Sequence, residues 1–409
     1  MKHKQSNCVA LDLGTNKISG IVANIDKKSN INILAQTFNY SKGLNSGFIT
    51  DIKALENCIM EVIFTLEKQC GKNIKDVIIA IPGLGTKSWY VNDTMKLSNN
   101  IISKTDVKRL MQRMLSEFKK TSHDIIHYIP IEFIINNEHV VDDPIGMCGK
   151  ELSCQLHIIT VDSIIVTNLA NCLAKCHLQI TKVMLSIYAS GIACLSKDEK
   201  DLGALIISIG AKITSFGVFA YDKLIYTGHV NLGGLDITHE IAKNFAINVH
   251  SAEKLKILYG KASISSFDKD QPINFETIEP NNLYEQRSII TTHQLSHVIN
   301  KKMEEILYAV KKQYDNAKVD NLIARRLVLT GGGANLRGVK EVAAKVFDKQ
   351  IRIGKSQIYD GLSEEYNSCS YSSVIGIAES AAINQHNTIL ENLENSWIKN
   401  FIKWFKTNI

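Results

Sequence analysis

Three glycine turns, far apart in the chain, hold the residues best suited to chemistry: Asp12-Leu-Gly-Thr-Asn-Lys17, Ile209-Gly-Ala-Lys-Ile-Thr214 and Leu329-Thr-Gly-Gly-Gly-Ala334. Each follows a run of β-branched or aliphatic residues, at Val9–Leu11, Leu205–Ile209 and Leu327–Leu329. A strand that stops in Gly and small hydroxyl residues leaves backbone N–H groups pointing outward, which suits phosphate oxygens. A single such turn need only reverse the chain. Asp12, beside Gly14 and Thr15, adds a carboxylate that can hold Mg²⁺ through waters opposite the β- and γ-phosphates of a nucleotide. Its plain structural use would be to cap the turn. The sequence contains no HExxH, P-loop or nucleophile-elbow motif.

The elements that position these turns can be read from periodicity. Val9–Leu13, Ile18–Asn24 and Ile31–Phe38 read as strands, the last two joined by a turn at 26–30. Apolar residues at helical spacing (Leu55, Ile59, Val62, Ile63, Leu66) predict a helix over 52–70, followed by a buried strand at Val77–Ile81 closed by Pro82 and Gly83. Residues 84–160 read as a separate α+β stretch. It has a helix opening at a Thr105-Asp106 cap, strands at His127–Ile135 and Gln155–Val161, and a turn at 142–146. A helix follows at Ser163–Cys176. The stretch 202–219 then repeats the strand, glycine turn and strand of the N-terminal hairpin, an echo that suggests two similar half-domains facing across a cleft. Helices are expected at Ile237–Ala246, Ser251–Tyr259, Ile299–Tyr314 and Val339–Phe347, with polar, irregular sequence over 261–290 and a buried strand at Arg325–Gly333.

Composition sets the frame. The 409 residues are enough for two lobes, and 45% hydrophobic content supplies a core. A formal charge of +6, spread along the chain without a block of like charge, does not suggest nucleic-acid binding. Nine cysteines without a C-x-x-C pair or zinc spacing, and no secretory signal, point to reduced thiols in a cytosolic protein. Cys172 and Cys176, one helical turn apart near His177, read as small packing residues. No apolar run is long enough to span a bilayer.

The three loops in this order match those of the actin-like ATPases. Over nearly its whole length the chain resembles the FtsA family of bacterial cell-division proteins within that group. The resemblance is clearest in VALDLGTNKISGIV (9–22), DDPIGMCGKEL (142–152), VNLGGLDIT (230–238), AEKLKILYG (252–260) and RLVLTGGGANLRGV (326–339). It implies an actin-like two-lobed α/β fold of duplicated RNase H-like domains, with an inserted α+β subdomain and a C-terminal amphipathic helix. In its nomenclature the lobes divide into subdomain 1A (1–83, 161–203 and 361–383), inserted 1C (84–160), 2A (204–244 and 326–360) and 2B (245–325). A linker (384–392) and the terminal helix (393–409) follow. It also implies ATP with Mg²⁺ as cofactors. Asp12, Gly14, Thr15, Asn16, Lys17, Gly210, Ala211 and Lys212 would serve the phosphates, and Gly233, Gly234 and Asn335 would also bind the nucleotide. Glu253 and Lys256 would face ribose and base, and Gly331, Gly332 and Gly333 the adenine side. Taken alone, Glu253 and Lys256 would read as a solvated helix face.

The second turn departs from the family. Where its members carry Asp-Ile-Gly-Gly-Gly-Thr-Thr-Asp, this chain has Ser208, Ile209, Gly210, Ala211, Lys212, Ile213, Thr214 and Ser215. Both carboxylates are gone, which weakens a metal site and the positioning of an attacking water. A methyl at Ala211 is costly if the position needs positive φ or close phosphate approach. Lys212 could offset the loss by meeting a phosphate as a point charge. The expectation is ATP binding with weak or absent hydrolysis.

The C-terminal stretch spaces Leu393, Trp397, Ile398, Phe401, Ile402, Trp404, Phe405 and Ile409 along one helical face, with Lys399, Lys403 and Lys406 on the others and Ser396 to cap it. Aromatic rings at headgroup depth and ammonium groups against anionic lipid suit a membrane interface. Packing on the protein's own core is the alternative. The resemblance completes the expected role: filaments of the protein on the cytoplasmic face of the membrane at the division site, tethering the FtsZ ring by its C-terminal tail and recruiting later division proteins. Two other readings keep the fold. One is a PilM-like cytoplasmic scaffold for pilus assembly. The other is a small-molecule kinase of the sugar-kinase type, which would need a catalytic Asp beside the second turn.

Overall fold

The computed structural model describes residues 6–120, 122–265, 268–273 and 290–384. The segments expected to form the terminal helix (393–409) and its linker (384–392), apart from Asn384, lie outside the described residues, as does most of the polar stretch over 261–290. Among the described residues no helix is long and apolar enough to cross a membrane.

The first lobe begins with an antiparallel meander of β1 (Ser6–Leu13), β2 (Lys17–Ile25) and β3 (Ile31–Tyr40). A short hairpin, β4 (Leu44–Asn45) and β5 (Phe48–Ile49), leads into α1 (Ile52–Cys70) and then β6 (Asp76–Ile81), parallel to β1. Helix α1 forms where its apolar period predicts it. Asp51 caps its start by accepting the Ala54 N–H, and Gly71 ends it in the left-handed region.

The chain then leaves the lobe. Strand β7 (Thr86–Lys96), helix α2 (Lys104–Ser116), β8 (His123–Ile135), β9 (His139–Val141) and β10 (Glu151–Asp162) build a four-stranded antiparallel sheet of order β7-β10-β8-β9. Its own core packs Met111, Met114, Phe133, Leu152 and Leu156. The cap of α2 is Ser103, two residues before the expected Thr105-Asp106 cap. Ser103 Oγ accepts the Asp106 N–H at 3.3 Å, while Asp106 Oδ2 accepts the Ser103 N–H at 3.0 Å. Asp106 is therefore the reciprocal third residue of a capping box, not the cap. Ser103→Ala is expected to lower stability by about 1 kcal/mol, read as a lower urea midpoint at unchanged m-value.

Helix α3 (Ser163–Lys175) returns to β11 (Gln179–Leu185), which completes a sheet of order β11-β6-β1-β2-β3. Helices α4 (Ser186–Cys194) and α5 (Lys197–Leu202) cross to the second lobe. There β12 (Ala204–Ile209), β13 (Thr214–Ala220) and β14 (Lys223–Val230) form the meander, and α6 (Gly234–Phe245), α7 (Val249–Tyr259) and α8 (Thr292–Ala317) follow. Strand β15 (Arg326–Thr330), α9 (Val339–Phe347) and β16 (Gln350–Ile353) close a sheet of order β14-β13-β12-β15-β16. In both sheets the first strand pairs antiparallel with the second and parallel with a later strand, so the repeat seen in the sequence is a repeat of topology. The strand expected to run to Gly333 stops at Thr330, because Gly331 takes φ +81°.

Helix α10 (Ser372–Asn384) brings the chain back to the first lobe and packs on α4 and β1. Glycines let α4 fit between the lobes. A Cβ on Gly191 would strike the Phe219 ring of β13, and one on Gly376 would strike the Ala189 carbonyl. One hydrophobic core therefore runs from the first sheet through α4 to Phe219, Leu224 and Val328 of the second lobe.

Candidate functional site

The β1–β2 and β12–β13 connections turn alike. The Gly14 N–H donates to the Lys17 carbonyl at 3.1 Å, and the Gly210 N–H to the Ile213 carbonyl at 3.0 Å. A Cβ at either glycine would meet that carbonyl oxygen at 2.7 Å. Ser208 thus stands where Asp12 stands in the first turn, Ala211 where Thr15 stands, and Lys212 where Asn16 stands. The first of the two conditions for a costly methyl at Ala211 is not met. Ala211 is not among the positive-φ residues, and its counterpart is Thr15, so the methyl brings no backbone strain.

Both turns line one cavity of about 480 Å³ between the lobes, a volume within the usual range for small-ligand sites. The third turn closes another wall. Gly331 is left-handed, and a Cβ there would lie 2.7 Å from the Ile209 carbonyl oxygen and 2.9 Å from Ser208 Oγ. Only glycine lets the third turn lie this close to the second. Gly332, Gly333 and Asn335 line the same wall. Asn335 Nδ2 donates to Ser370 Oγ at 2.8 Å.

Asp12 lies in this cavity with Lys17 on the same wall. Burial pushes the Asp12 carboxyl up to about 6, against the Lys17 charge and the Ser373 and Ser186 hydroxyls, which pull it down. Burial also brings the Lys17 ammonium down to about 8, with Asp12 opposing. Lys17 Nζ sits 3.3 Å from the centroid of the Tyr371 ring, a cation–π contact. Thr15 Oγ1 accepts the Ser46 N–H at 3.0 Å, and Asn16 is exposed to the cavity.

Glu253 and Lys256 form a built pair rather than a solvated face. Lys256 Nζ reaches Glu253 Oε2 at 2.7 Å, the Thr238 hydroxyl at 2.8 Å and the Gly234 carbonyl at 2.9 Å, with only 14% of its side chain exposed. Thr238 donates to Glu253. Burial lowers the Lys256 pKa and its carboxylate partner raises it.

Gly233 departs from the expectation. It is the N-cap of α6, its N–H is taken by Asp236 Oδ2 at 2.8 Å, and it does not line the cavity, whereas Gly234 does. The first N–H groups of α6 are also used internally: Gly234 donates to the Gly210 carbonyl and Leu235 to the Ala211 carbonyl. Lys212 lines the cavity with its Nζ 3.3 Å from Asp236 Oδ1.

Several lining residues were not foreseen: Ser186 and Ser190 of α4, Ser372 and Ser373 of α10, Ile257 and Arg337. Thr330 Oγ1 and Ser372 Oγ are 2.8 Å apart and each lies 3.1 Å from the Cys369 carbonyl, while Ser372 reaches Ser190 at 3.2 Å. This hydroxyl cluster ties β15, α4 and α10 together behind the glycine turns. The run Cys-Ser-Tyr-Ser-Ser at 369–373 was the available signal, since serines before an apolar helix mark its start. Among the described residues no group of three or more His, Cys, Asp or Glu is placed to hold a metal.

Comparison with known proteins agrees with this architecture. The family model described as "Cell division protein FtsA" matches residues 205–376, and that of the "SHS2 domain inserted in FTSA" matches 83–160, together more than half of the chain. Cell division protein FtsA of Neisseria meningitidis is 28% identical over 382 residues, 93% of this chain and 91% of that protein. Those of Rhizobium meliloti (26%; 91% and 87%) and Escherichia coli K12 (24%; 97% and 97%) align similarly. Among solved structures, a chain of the PilM–PilN type IV pilus biogenesis complex superposes with TM-score 0.66 at 15% identity, covering 92% of this chain and 98% of that one. MreB5 of Spiroplasma citri bound to ADP gives 0.55 at 13%, covering 93% and 98%. At such identities these structures show the shared actin-like fold alone.

Proposed function

The chain belongs to the FtsA family of bacterial cell-division proteins, and from that premise we propose that it is an ATP-binding filament former that tethers the FtsZ ring to the cytoplasmic membrane. ATP occupies the inter-lobe cavity, self-assembly gathers copies on the inner membrane face, and later division proteins are recruited there. The observation that carries this reading is the four-stranded insert: an actin-like pair of sheets and its cavity are combined with a separate subdomain between β6 and α3. Hydrolysis is weak or lost. Ser208 and Ser215 are direct cross-strand partners on β12 and β13, and two hydroxyls there supply neither the charge nor the base that two carboxylates would. The same substitution speaks against a small-molecule kinase. The PilM likeness is one of fold.

Membrane attachment is assigned to the aromatic face of 393–409. A single short amphipathic helix binds reversibly, so assembly would strengthen it through avidity. Replacing Trp397 and Trp404 together with Asp is expected to abolish co-sedimentation with anionic liposomes while leaving the melting temperature unchanged. Undiminished co-sedimentation would remove the tethering role from this segment.

A further inference from the structure

We propose that the cavity binds the polyphosphate of ATP without a divalent metal, Lys212 supplying the counter-charge that family resemblance assigns to Mg²⁺. This rests on reading the cavity as an ATP site.

The donor set is the weakest that could hold a hard divalent ion. Two carboxylates line the cavity, Asp12 and Glu253. Glu253 is committed, accepting from Lys256 at 2.7 Å and from the Thr238 hydroxyl. The counterpart of Asp12 in the second turn is Ser208, and the cross-strand neighbour of Ser208 is Ser215. Mg²⁺ is held in such sites by one or two carboxylates together with phosphates and waters. Here only the minimum of one remains, Asp12, which already takes the Ser373 and Ser186 hydroxyls and whose charge the Lys17 ammonium offsets.

The cations are in excess. Lys17, Lys212, Lys256 and Arg337 line the cavity against those two acids. Lys256 is held by Glu253, and Lys17 lies over the Tyr371 ring. Lys212 differs from both. It sits on the second phosphate turn, its ion pair with Asp236 is long at 3.3 Å, and Asp236 lies outside the lining and already caps α6. With 26% of its side chain exposed, Lys212 can turn to a phosphate at the cost of one weak contact. A lysine ammonium binds phosphate as a point charge and needs no fixed coordination geometry.

The test is a calorimetric titration of the full-length protein with ATP at constant ionic strength, in excess Mg²⁺ and in EDTA. Equal affinity in the two conditions is expected. Lys212→Met, which keeps the stem, should bind about tenfold or more weakly in both, as loss of a charged hydrogen bond implies. Ser208→Asp should make binding Mg²⁺-dependent, and it provides the independent check if Lys212→Met fails to fold. Much tighter binding of the wild type in Mg²⁺ than in EDTA would overturn the inference and leave the ATP site standing. Unaltered affinity of Lys212→Met in EDTA would also overturn it. Absence of ATP binding in both conditions would remove the ATP site itself.

Discussion

Gly376→Ala is expected to destabilise the protein by about 3 kcal/mol or more, the upper range for overpacking a core. The new methyl would be driven into the Ala189 carbonyl of α4, which is backbone and cannot rotate aside. Nor can α4 retreat, because its opposite face places Gly191 against the Phe219 ring of the second lobe. Relief would come from parting α10 from α4. Ser372 and Ser373, at the start of α10, line the cavity, so ATP affinity should fall along with stability. Urea unfolding and the calorimetric titration read the two effects. A stability loss under about 1 kcal/mol, the ordinary cost of a point substitution, would show that the two helices are not locked together.

The second large effect concerns pH. Glu379 of α10 is 9% exposed, and its Oε1 makes no hydrogen bond. Burial pushes its carboxyl up to about 7, while the Tyr359 hydroxyl and the Lys200 charge pull it down. In the unfolded chain it titrates near 4.5. Between these values the native protein binds more protons than the unfolded one, so stability falls as pH rises. The contribution is complete below the unfolded value and is lost as pH rises through about 7. At 1.36 kcal/mol per pKa unit it amounts to about 3 kcal/mol at most. Glu379→Gln keeps the neutral shape and removes the titration. It should match the wild type at acid pH, exceed it by about 2–3 kcal/mol above neutrality, and flatten the pH dependence. Unfolding free energies measured from acid to mildly alkaline pH decide this. Parallel curves for the two proteins would exclude Glu379 as the source.

Much of the framework was legible in the sequence because it is set by near neighbours. The stripe from Leu55 to Leu66 is a helix wherever it finds a sheet to cover. Glycine after a buried strand turns the chain in β1–β2 and β12–β13 alike, so both turns and their equivalence could be read directly. Strand β14 and helix α10 were harder to see. The segment Ser372–Asn384 is apolar on nearly every side, having a first-lobe sheet on one face and α4 on another, and so lacks the stripe that marks an amphipathic helix.

The sequence by itself determined the turns, the inserted subdomain and the loss of both carboxylates from the second turn. Only the tertiary structure decided which groups share the cavity and which are already occupied. Gly233 is turned away by its cap to Asp236, Lys256 is bound by Glu253, and Lys212 is held loosely by the same Asp236. Ser190 and Ser372 meet across 182 positions of sequence. Side-chain partnership and access depend on how the two sheets are closed around α4, and no local pattern of residues encodes that closure.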